Sequence, residues 1–219
     1  MGIAVLLAAG CGGDDDEGTT TAATETTATE TSGSSATECT QVDQPAAKPD
    51  GGATPPTQDL PAGTAYELVF TTNCGTFTVT LDQETAPKTS ASLVALARAG
   101  FFDDTIFHRI VPGFVIQGGD PTQTGTGGPG YSTVDVPPAD AAYTKGVVAM
   151  AKTETEPPGT SGSQFFVVTA DNSDLTADYA IVGKVTAGLD VVERIGVLGD
   201  ANQQPTQPVV IESVTVRET

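Results

Sequence analysis

The chain has 219 residues, with 28 acids against 9 Lys and Arg, a net charge of −19 and 38% apolar side chains. Residues 1–70 hold eleven acids and one base, Lys48, whereas residues 71–219 hold seventeen acids and eight bases. Neither part carries the clustered positive charge that phosphate contacts need, which excludes nucleic acid and anionic membrane surfaces as natural partners; the excess of acid argues for solubility.

The first eleven residues, MGIAVLLAAGC, are a short apolar run. A helix that crosses a bilayer needs about 20 apolar residues, so this run does not span one. It resembles the end of a bacterial lipoprotein signal peptide, with Ala8, Ala9 and Gly10 before the cysteine. That resemblance implies lipidation of Cys11 and an extracytoplasmic protein anchored to the bacterial cell membrane only through that lipid; an ordinary cleaved signal, and a secreted protein, is the alternative. Residues 12–60 are rich in Thr, Ser, Gly, Pro and acids and hold almost no large apolar side chain, the composition of a disordered tether. About fifty such residues give a mean reach of about 40 Å. With Cys11 set aside, Cys39 and Cys74 remain; in an exported protein they are expected to pair, two free thiols being the alternative.

The folded domain is expected over residues 61–219. Ala65–Thr72 alternates Tyr66, Leu68 and Phe70 with Glu67, Val69 and Thr71, Asn73-Cys74-Gly75 supplies a turn, and Phe77, Val79 and Leu81 alternate with threonines: a hairpin with one buried face. Thr85-Ala86-Pro87 opens a helix whose apolar stripe is Leu93, Val94, Leu96 and Ala97, and Gly100 is placed to end it. Asp103-Asp104 reads as a turn. Then comes Phe107–Asp120, FHRIVPGFVIQGGD, which breaks at Pro112-Gly113 and Gly118-Gly119 into two short strands. Alternation puts Gln117 on the face of Val115, a polar group on an apolar wall, as in small-ligand or peptide sites. Gly125–Gly130, GTGGPG, resembles a phosphate cradle only superficially, since no Gly-Lys-Ser/Thr follows. Gly146–Ala151, Ser163–Thr169, Ala180–Val185 and Val209–Arg217 read as strands, and Thr186–Ile195 as a second short helix. The pattern is mainly β: a closed eight-stranded antiparallel barrel capped by two helices, preceded by the tether.

FHRIVPGFVIQGGDP, GTGG, and AMA followed by GSQFFV resemble the cyclophilins, peptidyl-prolyl cis-trans isomerases, from about Tyr66 to Val216. The resemblance implies the same barrel, and isomerisation of X-Pro bonds in exported or cell-envelope proteins without cofactor or metal. It places the catalytic arginine on Arg109 and the proline pocket on Phe114, Val115, Phe166, Leu175 and Tyr179. The polar groups that hold the substrate backbone fall on Gln117, Ala151, Lys152 and Gln164. Val115 stands where the common form has methionine, Lys152 where it has asparagine and Tyr179 where many members have histidine. Asp174 replaces a tryptophan that assists cyclosporin binding, so weak cyclosporin binding is expected. A loop lengthened by about three residues, TETEPPGTSG, lies beside the peptide groove. Partners are proline-containing polypeptides, and a monomer is expected.

Rotation about an X-Pro bond crosses a barrier of ~18–20 kcal/mol because it breaks amide conjugation. No covalent bond breaks, so neither a nucleophile nor a metal is needed. A fixed guanidinium can donate to the proline nitrogen lone pair that twisting releases, an interaction specific to the transition state. From composition alone Arg109 could instead pair with Asp103, Asp104 or Asp120, and Phe114 and Phe166 could be barrel core. Phe165 is assigned to the core, and His108 to packed, hydrogen-bonded support. A cyclophilin-fold module that binds proline segments as a chaperone with little turnover is the rival to the enzyme.

Overall fold

The computed structural model describes residues 38–171 and 173–219; the signal segment 1–11 with Cys11, and residues 12–37 of the expected tether, lie outside the described residues. Strands β1 (Tyr66–Thr72) and β2 (Gly75–Leu81) form the expected hairpin, with Phe70 opposite Phe77 and their rings stacked at 4.7 Å. Helix α1 runs Pro87–Arg98. Its N-terminal donors are capped from another part of the chain: both the N–H and the hydroxyl of Thr89 donate to Asp135 Oδ2, each at 2.7 Å. At its other end Gly100, at φ 66°, donates to Ala97 O while Phe101 donates to Leu96 O, the paired bonds of a Schellman termination that needs a left-handed residue.

The chain continues through β3 (Thr105–Ile106), β4 (Arg109–Val111), β5 (Val115–Gly118), β6 (Thr133–Val134), β7 (Val147–Met150), β8 (Thr160–Ser161), β9 (Phe165–Val168) and β10 (Ile181–Ala187). Helix α2 (Leu189–Gly196) and β11 (Val210–Glu218) complete it. Among the described residues nine strands form one antiparallel sheet in the order β3-β11-β1-β2-β10-β7-β9-β5-β4, and β6 pairs with β8. The count differs from eight because Phe107-His108 interrupt the run Ile106–Val111, which becomes two strands. That interruption closes the architecture. β3 and β4 end opposite edges of the sheet, yet Ile106 and Arg109 are three residues apart and so at most about 11 Å. The sheet therefore curls until its edges meet, and the covalent chain joins them rather than a β3–β4 ladder.

Curling gives the sheet an inner and an outer face. Inside, Phe70, Phe77, Phe107, Ile116, Phe165 and Val167 pack with Leu93 and Leu96 of α1 and Val192 and Ile195 of α2. Outside lies a smaller cluster of Val115, Tyr143, Val147, Ala149, Phe166 and Val168.

Residues 38–60 correct the expected tether boundary. They form no helix or strand but lie against the domain: Cys39 is disulfide-bonded to Cys74, Thr40 N–H donates to Asn73 O, Lys48 N–H to Pro121 O and Gly51 N–H to Gly128 O. Lys48 Nζ also donates to Gly100 O and Phe101 O at the end of α1, where carbonyl groups favour a cation. The polar composition that predicts disorder allows order here because the backbone partners and the disulfide come from the domain.

Candidate active site

Register brings the site together. Arg109 on β4 lies opposite Gln117 on β5, Gln117 opposite Phe166 on β9, and Phe166 opposite Ala149 on β7. Directly opposed residues share a face, so this row points outward across four strands. Two residues along each strand, Val111, Val115, Val168 and Val147 supply the apolar floor beside it. Phe165 and Ile116, one position out of phase, face the inner core.

A cavity of about 190 Å³ opens on this outer face, lined by Arg109, Phe114, Val115, Gln117, Ala151, Lys152, Phe166, Leu175 and Tyr179. Gln164 stands outside that lining and joins it through a relay of amides. Arg109 Nη1 donates to Gln117 Oε1 at 3.2 Å, Gln117 Nε2 to Gln164 Oε1 at 3.1 Å, and Gln164 Nε2 to Gly127 O at 2.9 Å. Arginine can only donate, so it sets the orientation of the Gln117 amide and, through it, that of Gln164. Ala151 N–H is itself engaged, donating to Gln164 O, which leaves its carbonyl as the group to meet a peptide.

The guanidinium is held from the other side by a residue that sequence reasoning missed. Arg109 Nε donates to Gln203 Oε1 at 2.8 Å, and Ile110 N–H donates to Gln203 O at 3.0 Å. Gln203 has φ 65°, in a loop wound about Asp200, whose Oδ1 accepts the N–H groups of Asn202 and Gln204. These bonds hold the Asp200 carboxyl below its ordinary pKa, with the Gln204 N–H as the largest cause. The only signal in the sequence was the turn-forming Asp-Ala-Asn, which says nothing about where the next side chain reaches.

Among the described residues Arg109 forms no ion pair. The acids considered for it are otherwise placed: Asp103 Oδ1 accepts Val214 N–H, Asp104 adopts φ 53° in its turn, and Asp120 serves its own loop. Asp120 is wholly buried, and its carboxylate accepts the N–H groups of Thr122, Thr124, Gly125 and Gly127 and the Thr122 hydroxyl. Burial raises its pKa, but the bonds from Thr122, Gly127 and Gly125 together outweigh that and leave it below the ordinary value. The glycine-rich loop thus does cradle an anion, the chain's own carboxylate. A Cβ at Gly127 would come within 2.3 Å of Asp120 Oδ1, so glycine is required there.

Tyr143, also missed in the sequence, fixes the cavity wall. Its hydroxyl donates to Tyr179 O at 2.7 Å and accepts Tyr179 N–H at 3.2 Å, and its ring meets that of Tyr179 edge-on. Burial is the main cause that raises the Tyr143 pKa. Tyr179 in turn packs edge-on against Phe166 at 5.5 Å, with Lys152 Nζ 5.5 Å from the Tyr179 ring centre.

His108 departs from expectation. It is packed, 7% exposed, but neither ring nitrogen has a hydrogen-bond partner among the described residues. Burial lowers its pKa, Asp120 opposes that and Arg109 adds to it, so the ring is neutral near pH 7. Among the described residues no group of three or more His, Cys, Asp or Glu is placed to hold a metal ion.

Residues 67–216 match the family described as cyclophilin type peptidyl-prolyl cis-trans isomerase/CLD. The chain is 40% identical over 175 residues to peptidyl-prolyl cis-trans isomerase A of Mycobacterium tuberculosis, covering 71% of this chain and 94% of that protein. It is also 40% identical over 161 residues to a peptidyl-prolyl cis-trans isomerase-like 2 of Cryptococcus neoformans, but spans 27% of that longer protein. Among solved structures, a Cryptosporidium parvum cyclophilin type isomerase superposes with a TM-score of 0.65 at 30% identity, over 71% of this chain and 99% of that one. The same protein was also solved in the presence of the dipeptide Ala-Pro. The chain belongs to the cyclophilin-type peptidyl-prolyl cis-trans isomerase family.

Proposed function

We propose that the domain catalyses rotation about X-Pro peptide bonds, with Arg109 as the catalytic residue and no cofactor or metal. The observation that carries this is the state of the guanidinium: it lines a cavity together with Phe114, Val115, Phe166 and Leu175, fixed by the amide oxygens of Gln117 and Gln203 rather than neutralised by a carboxylate. Its charge and remaining N–H groups face the place where a twisted prolyl amide exposes its nitrogen lone pair. Phe114, Val115, Phe166, Leu175 and Tyr179 grip the prolyl ring, while Gln117, the Ala151 carbonyl, Lys152 and Gln164 hold the flanking backbone. The Ala-Pro dipeptide present with one relative supports a substrate of this class.

In the same reading the chain is an exported monomer, lipid-anchored at Cys11, that assists folding of exported or cell-envelope proteins. The Cys39–Cys74 disulfide supports an oxidising, extracytoplasmic compartment. Exposed Asp174, next in the chain to Leu175 of the cavity lining, supports weak cyclosporin binding. The test is the rate of cis to trans conversion of an X-Pro peptide with the purified chain: acceleration, unchanged by a chelator, is expected. Peptide binding without acceleration would assign the domain to a proline-binding module instead.

A further inference from the structure

Beside the prolyl cavity lies a second one, of about 390 Å³, which shares Gln117, Ala151 and Lys152 with it. Because three residues line both, the second cavity adjoins the first closely enough to receive a side chain that flanks a proline seated there. The wall opposite those residues is built from the glycine loop and from residue 50 of the segment that precedes the domain. That segment lies outside the residues that match the family, 67–216, whereas the glycine loop lies within them, so Asp50 is the part of this wall that the family match does not include.

The wall is held in several independent ways. Gly51 N–H donates to Gly128 O at 2.9 Å, Gly128 N–H to Asp50 Oδ1 at 2.9 Å and Ala53 N–H to Pro129 O at 3.1 Å, a short interlocked edge. The approach is close enough that a Cβ on Gly130 would stand 3.1 Å from the Gly51 Cα. Upstream, Gln123 Nε2 donates to Pro45 O and the Cys39–Cys74 disulfide ties the segment to the β1–β2 turn.

The charges in this cavity are unequal in availability. Lys152 Nζ donates to the carbonyls of Thr153 and Glu156 and lies over the Tyr179 ring. The Glu156 carboxylate accepts the N–H and hydroxyl of Thr153. Asp50 uses Oδ1 for Gly128 N–H, and its Oδ2 has no partner among the described residues. We propose that Asp50 makes the second cavity a subsite for a cationic side chain, so that the domain prefers X-Pro bonds with Lys or Arg within two residues of the proline. This rests on the isomerase reading above and names the substrate class for it.

The test uses the full chain and pentapeptides with a single proline, carrying Lys, Ala or Glu at each of the two positions on either side. One unit charge at hydrogen-bonding or next-neighbour distance in a partly exposed site changes rate or affinity by about three- to tenfold. Wild type is therefore expected to show that ratio of kcat/KM for Lys over Glu at one flanking position, shrinking at 0.5 M salt. Asp50→Asn keeps the acceptor for Gly128 and removes the charge, and is expected to bring the ratio below twofold. Asp43→Asn, on the same segment but outside the cavity, changes net charge equally and is expected to keep the wild-type ratio. No Lys preference in wild type, an unchanged ratio in Asp50→Asn, or an equal fall in Asp43→Asn would each overturn the proposal. Peptide affinities measured by NMR titration on the same samples separate the two claims: if no peptide is accelerated the isomerase reading fails, and the Lys-over-Glu affinity ratio still decides the role of Asp50.

Discussion

Phe165 and Phe166 are consecutive on β9, 2% and 5% exposed, yet belong to different parts of the molecule. Phe165 sits in the inner core, its ring 6.0 Å from those of Phe102 and Phe107, within the barrel closed by both helices. Phe166 sits in the outer cluster against Tyr179, at the wall of a cavity open to peptide. Ile116 and Gln117 repeat the contrast on β5, one inside and one outside. A sheet that curls tightly can thus be buried on both faces while only one of them carries chemistry. Burial alone does not reveal function; what separates the faces is the presence of polar groups in register with the apolar ones.

The largest effect that can break this contrast is a pair of truncations. Phe165→Ala is expected to cost ~3–5 kcal/mol in denaturant unfolding, as for a large buried aromatic. Phe166→Ala is expected to cost less, because its site already opens to solvent, but to lower kcat/KM by about 10–200-fold through lost contact with the prolyl ring. If both variants lose equal stability, and activity only in proportion to folded protein, the two faces do not divide the work.

The alternation within single strands was legible from the sequence, but their pairing was not. Alternation in Val115–Gln117 placed Gln117 and Val115 on one face, and the hairpin Tyr66–Leu81 and helix Pro87–Arg98 fall within a residue or two of where their patterns put them. Which face of a doubly apolar strand looked outward was not legible, since FFVV carries no polarity to orient it; only the resemblance to the cyclophilins turned Phe166 toward substrate. Contacts made across long sequence separations were equally hidden. Gln203 reaches Arg109 over 94 residues and Asp135 caps α1 from 46 residues away, and no local pattern records either. The order of residues 38–60 escaped for a related reason: composition reports whether a segment can build its own core, not whether a finished domain offers it hydrogen bonds.

Gln203 gives a sharper, smaller test. It is a positioning residue, acting on substrate only through Arg109. Losing one hydrogen bond of about 1 kcal/mol predicts a fall of roughly fivefold in kcat for Gln203→Ala, with KM and stability little changed. Gln203→Glu, which keeps an acceptor for Arg109 Nε, is expected to recover binding geometry but to weaken the free charge. A change in KM alone would mean that the loop contacts substrate directly.

The smallest effect concerns His108, which falls in the chain between Phe107 of the inner core and Arg109 of the site. Its folded-state pKa is lowered, so the unfolded chain binds the proton more readily. Stability is therefore complete above pH 6.5, the ordinary value, and falls as pH drops below it toward the folded pKa. Urea unfolding at pH 7.5 and 5.5 is expected to show this loss in wild type and a flatter dependence in His108→Gln. A wild-type stability that rises toward pH 5.5 would contradict the assignment of a neutral, buried ring.

The central claim is that a fixed guanidinium on the outer face lowers the barrier to rotation. It is tested most directly by the cis to trans conversion rate of one X-Pro peptide with wild type, Arg109→Ala and Arg109→Lys at matched peptide occupancy. Loss of a transition-state donor predicts a rate lower by about 10²–10³ for Arg109→Ala, with peptide still bound. Lysine, which lacks the planar fork, is expected to restore little of it. A folded Arg109→Ala variant that turns over peptide at the wild-type rate would contradict the account.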